Sequence, residues 1–444
     1  MTLMMSVSGV RGIIGQTMTP VLAAELGATF GTHLGTGSVV IGRDSRPSGD
    51  MVRSALVSGL LASGRDVIDL GVVTTPSVAI MVRELGAAGG VVLTASHNPI
   101  VWNGVKFLTG DGYAPPPETA AAILDRYKAK QLKYVDIQHI GRLKSDDRTN
   151  EIHVSKVLAI VDAPRIRERK FKVVLDSVNG AGGAGGRMLL ERLGCQVVHM
   201  NAEPTGIFAH TPEPTRENLT TLCDAVRANH ADLGFAQDPD ADRLAIVDNH
   251  GEYIGEEYTL ALAARNAFRR ERGAAAANLS TSRMVDDIAQ AAGAGPVHRT
   301  PVGEAHVARA VRENRCVLGG EGNGGVIDPR IVLVRDSFTA MAVTLDLLAA
   351  EERSLDGVVR QLPHYVMVKQ KFDLTRAQID NWMLRVPTVA AGGRVDSADG
   401  VRIDWPEGWV HVRPSNTEPI ARVIAEAADE ATAAELAQRV TDLL

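Results

Sequence analysis

Residues 38–47 read Ser-Val-Val-Ile-Gly-Arg-Asp-Ser-Arg-Pro and residues 91–99 read Val-Val-Leu-Thr-Ala-Ser-His-Asn-Pro. Each is a short β-branched run that breaks into a turn, where polar residues and a proline stop a strand ladder. Between them Met51 to Ala62 carries apolar residues at helical spacing, Asp66 to Val72 reads as a strand and Ser77 to Leu85 as a helix. This βαβαβ order predicts a parallel, doubly wound sheet with right-handed crossovers. Open sheets of this kind collect ligands at the carboxyl ends of their strands, which is where Ser96 stands. Taken alone, a serine in that position is as readily a turn former as a functional group.

The rhythm restarts twice. Lys172 to Asp176 is a strand entering Gly180-Ala181-Gly182-Gly183, Gly185 to Leu193 is a helix, and Gln196 to His199 is the next strand. Leu219 to Asn229 is helical and Leu233 to Ala236 a strand ahead of a row of carboxylates. A third unit has helices over Ile254 to Arg270 and Ser337 to Glu352, with a strand at Cys316 to Leu318. Strands at Val366 to Phe372, Val401 to Asp404 and Val410 to Arg413, closed by a helix over Ala431 to Leu444, give an α+β module. Gln131 to Asn150 is polar and poorly periodic and reads as a linker. The expected units are 1–153, 154–252, 253–364 and 365–444, with no strict sequence repeat.

A chain of 444 residues exceeds one hydrophobic core. Apolar residues make up 45%, charged residues 23% and the net charge is −6, an ordinary globular balance. Without a basic stripe, and with few aromatics, nucleic acid is not the expected partner. Cys195, Cys223 and Cys316 are odd in number and widely spaced, which predicts free thiols and a reducing cytoplasm. No secretory leader is read at the N-terminus, and no run approaches the roughly 20 apolar residues of a membrane span.

Asp238-Pro239-Asp240-Ala241-Asp242-Arg243 follows a strand with three carboxylates at alternate positions. Such a loop either converges on a hard divalent cation through oxygen ligands or is a solvated acidic turn. An EF-hand is excluded, because Arg243 stands where that loop needs glycine and Asn249 where it needs glutamate. Arg413-Pro414-Ser415-Asn416-Thr417-Glu418-Pro419 offers an arginine, hydroxyls, an amide and turn N–H groups, the donor set of a phosphate monoester site; the bland alternative is a helix cap. Arg422 adds a second charge. Gly319-Gly320-Glu321-Gly322-Asn323-Gly324-Gly325 lets backbone approach a ligand while Glu321 and Asn323 reach its hydroxyls. Gly320 to Gly325 and Gly180 to Gly185 both fit G-x-G-x-x-G. The first has no helix after it and the second no acidic residue ending the next strand, so no dinucleotide site is read. Close strand-to-helix packing accounts for Gly180 to Gly186. Lys106 is a proton-transfer group if burial lowers its pKa, and a surface lysine otherwise. Arg11, between glycines in Ser8-Gly9-Val10-Arg11-Gly12, is a further candidate phosphate contact.

Taken in order from Arg11 to Arg422, these motifs resemble the α-D-phosphohexomutase superfamily. The phosphoserine loop resembles Thr94 to Pro99, the metal loop Asp238 to Arg243, the sugar loop Gly320 to Gly325 and the phosphate loop Arg413 to Pro419. The resemblance implies four domains around a central cleft. Three are similar α/β units with mixed sheets, and the fourth is an α+β domain of the TATA-box-binding-protein-like fold. It implies Ser96 carried as phosphoserine, with Mg²⁺ held by Asp238, Asp240, Asp242 and a phosphate oxygen on Ser96. Arg243 would neutralise the moving phosphoryl group, Lys106 would assist proton transfer, and His97 and Arg11 would support the phosphoserine. Glu321 and Asn323 would grip the sugar. Gly303, Glu304 and Arg283 would face it, and Arg413, Ser415, Asn416, Thr417 and Arg422 would hold the phosphate that is not reacting.

The implied reaction converts hexose 6-phosphate to hexose 1-phosphate through a sugar 1,6-bisphosphate that turns around in the cleft. Expected partners are small sugar phosphates, on a monomer or homodimer. Many bacterial members carry serine at the position of Asn323 and histidine at that of Gly325. The form found here resembles the archaeal-like branch, with glucosamine phosphate favoured ahead of glucose and mannose phosphates. A metal-dependent phosphatase or a non-catalytic sugar-phosphate sensor are the competing classes. The second phosphate grip at Arg413 to Thr417 argues against a simple phosphatase.

Overall fold

A computed structural model of the chain describes residues 3–6, 9–415 and 420–444; Ser8, Asn416 and Thr417, singled out above, lie outside them. The first sheet contains β1 (Met4–Ser6), β2 (Gly9–Ile13), β3 (Val39–Arg43), β4 (Val67–Val72), β5 (Gly89–Leu93), β6 (Trp102–Thr109) and β7 (Leu143–Ser145), in the order β1-β2-β6-β5-β3-β4-β7. Strands β5, β3, β4 and β7 are parallel, whereas β6, β2 and β1 run antiparallel to their neighbours. The sheet is therefore mixed rather than purely parallel. Its sequence signal stopped at β5 because Trp102–Thr109 is buried on both faces at most positions and shows no alternation. The expected linker 131–150 also holds structure. It contributes β7 at the sheet edge and the start of the helix Thr149–Leu158.

The second sheet joins β8 (Lys172–Asp176), β9 (Gln196–Met200), β10 (Leu233–Gln237) and β11 (Leu244–Val247) in the order β11-β10-β8-β9. The third joins β12 (Ala275–Asn278), β13 (Val297–Thr300), β14 (Leu318–Glu321) and β15 (Gly325–Ile327) in the order β13-β12-β14-β15. In each of the first three sheets a parallel strand turns into an antiparallel neighbour: β5 into β6, β10 into β11 and β14 into β15. The three connecting loops are 94–101, 238–243 and 322–324, and they carry Ser96, the carboxylate row and Asn323. The unit repeats in three dimensions although the sequence shows no repeat.

The first three units share one continuous core. At its centre is the helix Ser337–Glu351, buried along almost its whole length. It packs on helices Glu256–Arg270, Ala163–Arg169, Thr149–Leu158 and Gly183–Arg192. A helix apolar all round is what an interior position requires. The helix at Gly183–Arg192 starts among glycines for steric reasons. A Cβ on Gly182 would lie 2.5 Å from Gln237 Oε1, and one on Gly183 would lie 2.6 Å from the Ala202 carbonyl oxygen. The last unit has its own core beneath an antiparallel sheet of β16 (Val366–Asp373), β17 (Arg394–Asp396), β18 (Val401–Asp404), β19 (Gly408–Pro414) and β20 (Ile420–Ala427), in the order β16-β20-β19-β18-β17. Helices Arg376–Arg385 and Glu430–Thr441 cover it, with Trp382 and Leu436 buried between. Among the described residues no helix is long and apolar enough to cross a membrane.

Candidate active site

The chain leaves β5 at Leu93 and reaches Ser96 with φ 51°, a left-handed conformation that costs a non-glycine residue about 1–2 kcal/mol. The surrounding groups hold it there. Thr94 Oγ1 accepts the Ser96 N–H at 2.9 Å and donates to Asp44 Oδ2 at 2.6 Å. The fully buried Arg46 supplies the rest. Its Nε bonds Asp44 Oδ2 at 3.0 Å, and its two terminal nitrogens bond the carbonyls of Ser96 and Asn98 at 2.6 Å, Pro99 at 2.8 Å and Trp102 at 3.1 Å. All five guanidinium donors are used, so the loop backbone is tied to β3's exit turn. The buried Ser96 Oγ then donates to Asp238 Oδ2 at 3.0 Å and lies 3.3 Å from His97 Nδ1.

Asp238, Asp240 and Asp242 are buried, and one carboxylate oxygen from each lies within 4.8 Å of the others. Asp240 Oδ2 accepts from Thr75 Oγ1 at 2.6 Å and Lys106 Nζ at 2.8 Å, and Asp242 Oδ2 accepts from Arg335 at 2.6 Å. The second oxygens, Asp240 Oδ1 and Asp242 Oδ1, are buried without a partner. Burial pushes the Asp238 carboxyl well up, and the charges of Asp242 and Asp240 push it further. Burial also works against the Asp240 charge, but the Lys106 ammonium together with the hydrogen bonds Asp240 accepts holds that carboxyl well down. Crowded anions with orphaned oxygens aimed at one point are the donor set of a hard divalent cation. The triad fits a metal site.

Lys106 is not the low-pKa base that burial alone would make. Desolvation lowers it, yet Asp240 and Asp242 raise it by more, and it is held charged. Arg11 lies among Asp240, Asp242, Arg243 and Arg335, and burial lowers its pKa. His97 is pushed down to about 3 by burial and by the charges of Arg243 and Arg11, so its imidazole is neutral. Arg243 donates its backbone N–H to Asp238 Oδ1 at 3.1 Å, and its Nε is buried without a hydrogen-bond partner.

On the facing side Glu321 ends β14. Its Oε1 accepts from Asn278 Nδ2 at 2.8 Å and from the Gly303 N–H at 3.1 Å, and its Oε2 from Arg335 at 2.6 Å. Glu304 Oε2 takes the backbone N–H and Nε of Arg335, each at 3.1 Å. Asn323 Oδ1 is buried without a partner. Arg413 bonds Asp399 Oδ2 at 2.6 Å, and the same oxygen accepts the Val302 N–H at 3.0 Å. Ser415 caps the end of β19 through its N–H to the Ile420 carbonyl, 2.8 Å away, and the exposed Arg422 sits across from Arg413 in register. Arg283 is not gathered with these groups. Its guanidinium bonds the carbonyls of Trp405 at 3.1 Å and Pro406 at 3.2 Å, and it lines a separate cavity of about 790 Å³ with Arg299, Arg402 and Asp404.

Three residues that shape the site escaped the sequence reading. Arg46 was read only as part of a turn, and Thr75 fell unassigned between the strand Asp66 to Val72 and the helix from Ser77. Arg335 follows the apolar run Ile331-Val332-Leu333-Val334. A charged residue abruptly ending such a run, just before a helix cap at Asp336, is the signal that marks it.

Sequence profiles of the phosphoglucomutase/phosphomannomutase family match the chain in four parts: α/β/α domain I over 3–133, domain II over 151–251, domain III over 255–365 and the C-terminal domain over 369–443. A probable phosphoglucosamine mutase from Methanopyrus kandleri is 38% identical over 98% of this chain and 96% of its own length. A phosphoglucomutase/phosphomannomutase from Thermococcus kodakarensis is 40% identical over 96% of this chain and 95% of its own. The crystal structure of a phosphoglucomutase/phosphomannomutase family protein from Burkholderia thailandensis superposes with a TM-score of 0.87 at 27% identity, over 99% of this chain and 98% of that one. Fold, site and full-length similarity together define an isomerase of the phosphohexomutase class. The chain belongs to the phosphoglucomutase/phosphomannomutase family of the α-D-phosphohexomutase superfamily.

Proposed function

We propose that this chain interconverts hexose 6-phosphate and hexose 1-phosphate with Ser96 as the phosphoryl carrier, and that glucosamine phosphate is its preferred substrate, ahead of glucose and mannose phosphates. The supporting observation is Ser96 Oγ, 3.0 Å from a carboxylate of a buried triad whose remaining oxygens are orphaned. Mg²⁺ on Asp238, Asp240 and Asp242 would supply positive charge to the transferring phosphoryl group. Arg243 and Arg11 add fixed positive charge beside it. Arg46 and Thr94 hold the Ser96 backbone through its carbonyl and its N–H, bonds that leave its oxygen available to carry phosphate. Lys106, charged, gives a proton to the serine oxygen as the phosphoryl group leaves, and the proton shed by the attacking sugar hydroxyl restores the ammonium, so one proton passes from sugar to serine. Glu321, Asn323, Gly303 and Glu304 grip the sugar in either orientation. Arg413, Ser415, Asn416, Thr417 and Arg422 hold the phosphate at the far end. The three cysteines are free thiols, which suits an enzyme of the cytoplasm.

The test is ³¹P NMR of the purified chain with Mg²⁺, glucosamine 6-phosphate and a trace of sugar 1,6-bisphosphate, run beside glucose and mannose 6-phosphates. Glucosamine 1-phosphate should form fastest, with no net inorganic phosphate. Phosphate release without isomer would show a phosphatase instead. Peptide mass analysis should find the phosphoryl group on Ser96, and Ser96→Ala should lower turnover by on the order of 10³-fold or more.

A further inference from the structure

Gly325 and Arg335 occupy one space. A Cβ added to Gly325 would lie 2.2 Å from Arg335 Cδ and 2.8 Å from its Cγ, and 3.1 Å from Asn323 Oδ1. The arginine has no room to yield. Its side chain is only 11% exposed, and its head is fixed by three carboxylates on three different segments. Nε bonds Glu304 at 3.1 Å, and the two terminal nitrogens bond Glu321 Oε2 and Asp242 Oδ2 at 2.6 Å each. A backbone N–H completes the grip on Glu304.

We propose that Arg335 is a positioning residue of the site, seated where a side chain at position 325 would otherwise lie, and that it locks the sugar-gripping carboxylate Glu321 to the metal-loop carboxylate Asp242. The planar fork of a guanidinium suits this role because it meets separate carboxylates along fixed directions; an ammonium is one compact charge. On Asp242 it takes Oδ2 and leaves Oδ1 free, and on Glu321 it takes Oε2, leaving Oε1 to Asn278 and Gly303. Each carboxylate is thereby turned about a fixed point. The bridge also joins the β10–β11 loop to the β14–β15 hairpin, so the sugar grip and the metal loop keep one relative placement. The buried Asp242 and Glu321 and the half-buried Glu304 share one arginine, and desolvation raises the Glu304 pKa even with Arg335 beside it.

This inference rests on the sugar-gripping role proposed above for Glu321, and two experiments separate the two readings. The first is a melting-temperature cycle of Gly325→Ala, Arg335→Ala and the double variant. Gly325→Ala should lower the melting temperature in the wild-type background and change it little where Arg335 is already alanine. Equal losses in both backgrounds would overturn the shared-space assignment, and this readout does not depend on activity. The second uses Arg335→Lys, which keeps the charge and loses the fork. Its KM for glucosamine 6-phosphate should rise about tenfold or more, with kcat changed less than threefold, and calorimetric binding of sugar 1,6-bisphosphate should weaken in parallel. Unchanged KM and binding would overturn the positioning role. A wild-type chain that binds the bisphosphate but forms no isomer would defeat the proposed function and leave this binding comparison intact.

Discussion

At the scale of single residues, the seat of Ser96 depends on groups whose hydrogen-bonding capacity is fully used. Arg46 is the extreme case, a buried guanidinium with Asp44 and four loop carbonyls on its five donors. Arg46→Ala would strand Asp44, whose pKa burial already raises, and leave four carbonyls short of a partner. A loss of about 3–5 kcal/mol in denaturant unfolding is expected, together with a fall in turnover as Ser96 loses its left-handed seat. Ser96, the aspartate row, Glu321 and Arg413 were legible because their residue types stand in patterns a few residues long. Arg46 and Arg335 were not, because each is defined by partners far along the chain: Arg335 and Asp242 are 93 residues apart.

At the scale of elements, the helix Ser337–Glu351 is held by its cap. Asp336 Oδ1 accepts the Phe338 N–H at 2.9 Å, and Oδ2 accepts from His153 Nε2 at 2.9 Å and Thr339 Oγ1 at 2.5 Å. His153 Nδ1 in turn lies 2.8 Å from Ser77 Oγ, so three helices of three units meet in one buried chain. Burial opposes the Asp336 charge, but His153 and the hydroxyl bonds win and hold its pKa below the ordinary value of 3.8. With a depressed folded pKa, its contribution is present above pH 3.8 and is lost as pH falls through the folded value. Asp336→Asn should cost about 1–3 kcal/mol at pH 7, and Asp336→Ala about 1 kcal/mol more through the lost cap, both read by guanidinium denaturation. The sequence reading placed this helix to within one residue, since Phe338 to Ala350 holds only apolar residues, two threonines and Asp346, with no glycine or proline. Strand β6, which carries Lys106, went unread because a doubly buried strand has no period of two.

At the scale of the whole molecule, the last unit closes on the third through buried polar contacts. Arg402 donates to the Leu279 carbonyl, Glu426 accepts the Arg283 N–H at 2.9 Å, and His411 stands between Ser280 Oγ at 2.9 Å and the Asp399 carbonyl at 2.6 Å. His411 donates from Nε2 to that carbonyl and accepts at Nδ1, so it is neutral. Burial pushes its pKa down to about 4 from 6.5, and the charges of Arg402 and Arg413 act the same way. The unfolded chain binds the extra proton between those values, so stability is lost as pH falls from 6.5 to 4, by at most about 3 kcal/mol. His411→Gln should flatten that part of a stability-against-pH series. The sequence by itself determined the strand–helix alternation, the four loop motifs and the family, because periodicity, turn chemistry and short motifs are local properties of the chain. Only the tertiary structure decided that three loops with no common sequence occupy the same place in three sheets. It also decided that Lys106 stays charged and that Arg335 fills the space over Gly325. Each of these depends on burial and on which distant charges share it, and neither is written in any one stretch of residues.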